Sequence, residues 1–467
     1  MPNMTSAFRY LLVLMTAVGL LGCGSGARND GRVTITFWHS LVQSSRPALE
    51  RLIERFEDEH PHIRINAQYV SSGDALAQKL ITAVQSGSAP DISWIHSHYL
   101  GDLVAADAVY AMDHFINGEN GLTEEDIADI YPALIQYASW QGTLYSMPME
   151  ATNLALIYNK DLFREAGLDP ERPPETWAEL LEYSRRLMKD ANGDGRNEQI
   201  GFFVPAVSAS GPQGAYMMWQ WTPFLWQAGG YLVDLEQTEV LFDSPAGVEA
   251  LSLWRDIYRM QNQRTFTADD PLTVMASQQI AMMMDGPWNL PRYPQVFSRF
   301  HYGVAMLPAG PQKRATVVAG EYLAIFKQSA HPDEAWEFVK WMIDPETQAF
   351  WSMESGYLPV RQSVVEVEEF QRFLRDNPHQ AAFVEQMEYA QAQRPIDFHT
   401  IRIQRLLAEA IEQATVGGRS PAEALSSAAA EANRLLQEAA RERAATVAAA
   451  GAGQGEAAKR GDHTGEM

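Results

Sequence analysis

The chain has 467 residues and one cysteine, Cys23. A lone thiol excludes an internal disulfide and any multi-cysteine metal site. After the first 22 residues there is no run of about 18 apolar residues, so nothing further along reads as a membrane-spanning helix. Positive charge is scarce: 36 Lys and Arg face 59 Asp and Glu, a formal net charge of −23. With no basic run to neutralise phosphates, such a chain is a poor nucleic-acid binder. Repeats with a period of about 20–50 residues are absent, as is any nucleophile-elbow motif of Ser-His-Asp hydrolases.

Apolar residues are abundant. They make up 46% of the chain, an ordinary globular share, and include 12 Trp, 17 Tyr and 19 Phe. The length suits two or three domains. Most of these aromatics must be core. Exposed tryptophans in a polar groove would stack on sugars or bases, and the charge disfavours bases.

Cys23 sits in "LLGCGSG", directly after the apolar run Tyr10 to Leu21 and a preceding Arg9. A run of this length is too short to span a bilayer but suits the core of a signal peptide. The segment resembles a bacterial lipoprotein signal, with Leu20-Leu21-Gly22-Cys23 as the lipobox. That resemblance implies a leader over 1–22, lipid on Cys23 and a tether over 23–31. A thioether lipid with an N-acyl chain would supply two-signal anchoring. The alternative is a buried free thiol.

Downstream, "VTITF" (33–37) reads as a buried strand, and Leu49, Leu52, Ile53 and Phe56 recur at helical spacing before Pro61. A strand, a helix closed by Gly87 and a third strand over "APDISWIH" follow. This alternation argues for α/β architecture with a parallel sheet. Later strands are expected within 142–163, at Ile280 to Met284, and in "HYGVAMLPAG" and "EYLAIF". Ser420, Pro421 and Glu423 form a capping box for a last helix. The Ala/Gly-rich residues 439–467 read as a disordered tail.

Ten signatures occur in order, among them "ITFWHS", "SGSAPDI", "LYSMPME", "LIYNKDLFREAGLDP", "QAGGYLVD", "DGPWNL", "ESGYLPVRQS" and "QRPIDFHTIR". Through them the chain resembles the extracellular solute-binding proteins of bacterial ABC importers. It is most similar to the branch that binds maltose, trehalose, multiple sugars or glycerol 3-phosphate. The resemblance covers about residues 33–438. It implies a two-lobed periplasmic-binding-protein-like fold with an interlobe cleft, hinge closure on the ligand and delivery to a permease. Lobe one is expected at 32–148 plus 303–346, and lobe two at 149–302 plus 347–438. An exported, membrane-tethered monomer without cofactor is the implied form.

A sugar site needs flat aromatic walls and a few hydrogen-bonding carboxylates, amides or guanidinium groups. On the resemblance, Trp288 is a stacking ring and Tyr357 faces the ligand; core packing is the alternative for both. Glu150 is expected at the lobe crossing, as a sugar acceptor or in a hinge ion pair, with Asn153 beside it. Glu321 and Tyr322 open a strand facing the cleft, and Arg394 is ligand-directed or pairs at a helix end. His39, His96 and Ser97 lie at strand carboxyl ends, where ligands gather in open α/β sheets. Trp221 is a further candidate among Trp219, Trp221 and Trp226. Relatives often carry an aromatic before the second helix, where this chain has Gly73; a wider cleft is expected, with Asp74 contributing a hydrogen bond.

Two carboxylates at the cleft would repel a phosphate dianion. A neutral di- or oligosaccharide is therefore favoured over glycerol 3-phosphate or a glycerophosphodiester. Asp190, Asn192, Asp194 and Glu198 imitate a calcium loop, but Gly201 stands where a bidentate Glu is needed. A hydrophilic turn is the preferred reading. An exported glycoside hydrolase would also carry aromatics and paired carboxyls. The ordered signatures match binding proteins instead, so no catalytic residue is assigned.

Overall fold

The computed structural model describes the backbone of residues 31–461 except 196, 206–211, 236–237, 264–270 and 393–399, and the side chains of most of these as far as 441. In chain order the elements used below are β1 (Val33–His39), α1 (Arg46–Glu59), β2 (Ile63–Tyr69), α2 (Gly73–Ser86) and β3 (Ile92–His96). Then come β4 (Met147–Asn153), β5 (Ala155–Asn159), β6 (Ile200–Phe202), α3 (Pro212–Gln227), α4 (Pro245–Met260), β7 (Ile280–Asp285), β8 (Tyr302–Ala305) and β9 (Thr316–Ile325). The last are α5 (Pro332–Met342), α6 (Pro345–Ser355), α7 (Pro378–Glu385), β10 (Ala390–Gln391), α8 (Thr400–Thr415) and α9 (Pro421–Gly461).

The first three strands are parallel with β1 in the middle, as crossover helices require. Leu49, Leu52 and Phe56 bury one face of α1. The Ser72 hydroxyl caps α2 by accepting from the Ala75 N–H at 3.1 Å, and Gly87 ends it in the left-handed conformation, φ 71°. The strand β9 joins antiparallel to β3 and, on its other edge, to β4. A six-stranded sheet results, in the order β10-β9-β3-β1-β2 with β4 also on β9.

The second sheet has the order β8-β5-β7-β6. Its alternation serves two cores at once. Ala155 and Ile157 of β5 enter the core shared with the first sheet, while Leu156 and Tyr158 enter a second core with α3, α4, α8 and α9.

The backbone crosses between sheets at Leu154 and again between Ala305 and Thr316. The expected lobe boundaries need correction here. Residues 303–305 pair with β5 in the second sheet. Residues 347–358 stay with the first: α6 packs along α1, and Leu358 bridges Ala151 of β4. The helix α7 then lies along β8.

Gln386, fully buried, pins the crossings together. Its Oε1 accepts from the Leu307 N–H at 2.6 Å, and its Nε2 donates to the Leu154 carbonyl at 2.6 Å and to Asn153 Oδ1 at 3.2 Å. The capping box at Ser420 and Glu423 forms. The backbone beyond 439 is helical to Gly461 instead of disordered, in keeping with the helix propensity of its alanines.

Candidate ligand-binding site

Three strands bring three titratable side chains into one row. Glu321 of β9 stands opposite His96 of β3 and opposite Glu150 of β4. Directly opposed residues share a face. The β4 register slips between Glu321 and Tyr322, and such bulges re-aim side chains. Gly320 permits the close approach: a Cβ there would lie 2.4 Å from the Glu150 carbonyl oxygen.

Glu150 is fully buried and Glu321 nearly so. Glu150 Oε2 accepts the Trp351 indole N–H at 2.9 Å. Among the described residues, Glu150 Oε1 and Glu321 Oε2 find no N–H or hydroxyl donor. Two carboxylates at this depth cannot both remain charged. Burial, then the charge of Glu321, holds Glu150 well above the usual carboxyl range. Burial pushes Glu321 up to about 7, opposed by a hydrogen bond from Glu150. A proton retained by the pair relieves their repulsion. Trp94 and Trp351 oppose the rise at Glu150. The Tyr357 ring stacks on Trp351, centroids 6.4 Å apart. Burial, then the charges of Glu150 and Glu321, pushes the Tyr357 hydroxyl pKa up.

His96 opens the row to solvent: its side chain is 35% exposed against 12% for Glu321, and its Nδ1 is 4.0 Å from Glu321 Oε1. Its ring stacks on His98 and meets Trp94 edge-on. At Gly73, where a wider cleft was expected, the neighbour is His96. A Cβ on Gly73 would lie 2.5 Å from His96 Nε2, so the imidazole fills that space. Ser97 follows, half-buried, in a short turn. His39 is buried between the rings of Phe37 and Tyr69, and among the described residues its Nδ1 has no hydrogen-bond partner. Burial, then Arg46, pushes its pKa down to about 4, so it is neutral.

The second lobe contributes the turn Pro287–Arg292 after β7. Its Trp288 is half-buried and packs against both cores, which puts the ring at the seam between the lobes. The ring centroid is 6.1 Å from that of Trp219. Across the seam, Ser44 Oγ donates to the Trp288 carbonyl at 3.2 Å.

Three expected ligand residues lie elsewhere. Trp221 is fully buried in the second core; Trp219, two positions earlier on α3, faces another way. Tyr322 follows Glu321 on a strand and so points to the opposite face, into the first core. Asn153 is spent on the crossing: its Nδ2 donates to the Phe383 carbonyl at 2.9 Å and its Oδ1 accepts from Gln386. Asp74 lies in the first turn of α2, but its side chain is outside the described ones, and Arg394 lies outside the described residues. The helix "PETQAFWSMES" was expected from sequence, but Trp351 within it was not singled out, and Trp219 was passed over. A tryptophan two positions from a chosen one was the available signal.

Asp190, Asp194 and Glu198 carry carboxyl oxygens within 4.8 Å of one another, all exposed. Asp190 accepts from the Gly193 and Gly195 N–H groups, Asn192 from that of Asp194, and Glu198 from that of Ala191. These are the bonds of a hydrophilic turn. Among the described residues, no helix is long and apolar enough to cross a membrane.

Two α/β lobes joined by crossing strands, with Trp288 at the seam, define a periplasmic-type binding protein. The chain belongs to the bacterial extracellular solute-binding protein family, whose model matches residues 42–349. It is 26% identical over 445 residues to the sn-glycerol-3-phosphate-binding periplasmic protein UgpB of Pectobacterium atrosepticum, covering 90% of this chain and 94% of that one. The cyclic alpha-maltosyl-1,6-maltose binding protein from Arthrobacter globiformis matches with TM-score 0.75 and 26% identity over 87% of this chain and 100% of the other. UgpB from Mycobacterium tuberculosis, solved with glycerophosphocholine, shares the fold with TM-score 0.73 and 22% identity over 87% and 99%. The class is that of ABC solute-binding proteins for sugars or glycerophosphates, and the family and these neighbours are binding proteins.

Proposed function

We propose that this protein captures a neutral di- or oligosaccharide between its lobes and delivers it to the permease of an ABC importer. The observation that carries the choice of ligand is the buried Glu150–Glu321 pair. A site that already retains a proton to limit its own negative charge is a poor host for a phosphate dianion. Its unpartnered oxygens suit hydroxyl donors, and Trp288 offers a flat face to the C–H side of a sugar ring. The second reading, a glycerol 3-phosphate binder, is favoured by the names of curated relatives.

The protein acts as a monomeric carrier without catalysis. Cys23 carries the lipid that holds it at the membrane after export, and the Cys23→Ala variant then takes up no fatty-acid label and is released. Ligand class is tested by melting residues 24–467, with Cys23 replaced, against maltose, trehalose, longer glucans and glycerol 3-phosphate. A ligand that binds only the fold raises the melting temperature. A rise with a neutral sugar that vanishes in Trp288→Ala is expected. A rise with glycerol 3-phosphate alone overturns the sugar reading.

A further inference from the structure

Asp285 ends β7 immediately before the turn that carries Trp288. It is buried, and its carboxylate is bonded to groups of that turn and of the residue just beyond it. Its Oδ1 accepts from the Gly286 N–H at 2.9 Å and from Asn289 Nδ2 at 3.1 Å. Its Oδ2 accepts from the same amide at 2.9 Å and from the Tyr293 hydroxyl at 2.8 Å. The carboxylate therefore ties the first peptide of the turn to its middle and to the residue just beyond its end. Asn289 in turn accepts from Arg292 at 3.0 Å.

The peptide held by Asp285 is the one on which the indole rests. A Cβ on Gly286 would lie 1.8 Å from the Trp288 ring, so the ring folds directly over the glycine backbone. On the other side of the turn, Gly356 comes so close that a Cβ would lie 2.5 Å from the Pro287 carbonyl oxygen. The turn is thus set from within by one carboxylate and clamped from the first lobe by Gly356 and Ser44.

We propose that Asp285 is a positioning residue that fixes the indole of Trp288 in the cleft, and so sets affinity without touching the ligand. The effect on affinity rests on Trp288 being a ligand-stacking ring; the effect on ring geometry does not. Asp285→Asn keeps volume and one acceptor but turns an amide against the Asn289 amide. The double variant Asp285→Asn with Asn289→Asp restores a donor–acceptor pair between the two positions.

The deciding readout is the exciton couplet of the Trp219–Trp288 pair in circular dichroism of the ligand-free protein, defined by its loss in Trp288→Ala. The expected result is a weakened couplet in Asp285→Asn and recovery in the double variant. An intact couplet in Asp285→Asn overturns the proposal and leaves the stacking role of Trp288 standing. Maltose titrations run alongside. Loss of charged hydrogen bonds to the turn is expected to weaken binding about tenfold in Asp285→Asn, with recovery in the double variant. Maltose affinity unmoved by Trp288→Ala removes the stacking role, and the couplet still decides whether Asp285 sets the ring.

Discussion

Replacing Glu321 by Gln should make the protein more stable at alkaline pH, although it removes a group proposed to face the ligand. Glu321 titrates near 4.5 in the unfolded chain and at about 7 in the fold, because burial disfavours its charge. The folded value is the raised one, so the protonated acid favours the fold. That stability is complete below about pH 4.5, falls as the pH climbs, and is gone once the pH passes about 7. Integrated over this window the loss is about 3 kcal/mol. The amide introduced by Glu321→Gln never ionises and can donate to Glu150. Relative to wild type, the variant is therefore equal near pH 4.5 and more stable by about 3 kcal/mol at pH 8. For a chain of this size that is a rise of about 3–4 °C in melting temperature. His39 runs the opposite way: its folded value of about 4 is depressed, so its neutral form adds stability as the pH rises toward 6.5. Subtracting variant from wild type cancels that contribution. Thermal melts of both ligand-free proteins at pH 4.5 and 8 are the assay. Equal melting temperatures at pH 8, or a difference of the same size at pH 4.5, would rule out a proton shared by the pair.

Gly73→Ala should displace the His96 imidazole, lowering affinity for maltose several-fold in calorimetric titration without lowering the melting temperature, since alanine suits a helix better than glycine. Gln386→Ala should cost about 2–4 kcal/mol in urea unfolding, because it strands the Leu307 N–H and the carbonyl oxygen of the Asn153 side-chain amide. Calcium should leave the melting temperature of the soluble form in place, since the 190–198 loop already uses its acceptors on its own backbone; a concentration-dependent rise would make the loop a metal site.

Local pattern carried most of the fold. The apolar spacing of α1, the Ser72 and Gly87 caps and the β-branched "VTITF" are short-range signals, and each names its element. Where residues 347–391 belong depends on long-range contacts: Leu358 on Ala151, and α6 on α1. No local pattern encodes those. The site divides in the same way. Glu150 and Glu321 could be nominated singly, but their pairing is a matter of register between strands far apart in the chain, and of a bulge. Tyr322 was misplaced because period-2 alternation forbids it the face of Glu321, a rule that needs the strand's orientation before it can exclude anything. The role of Gly73 was half legible. The missing ring shows in sequence, whereas the imidazole that replaces it arrives from another strand.

Charge selectivity decides between a sugar carrier and a glycerophosphate carrier. It is read by calorimetric titration of maltose and glycerol 3-phosphate into the wild type and the Glu150→Gln/Glu321→Gln double variant. Saturable binding of the neutral sugar and none of the phosphate is expected in wild type, with sugar affinity reduced in the double variant. Saturable binding of glycerol 3-phosphate by the wild type, undiminished up to pH 8 where the pair carries most charge, would contradict the sugar assignment.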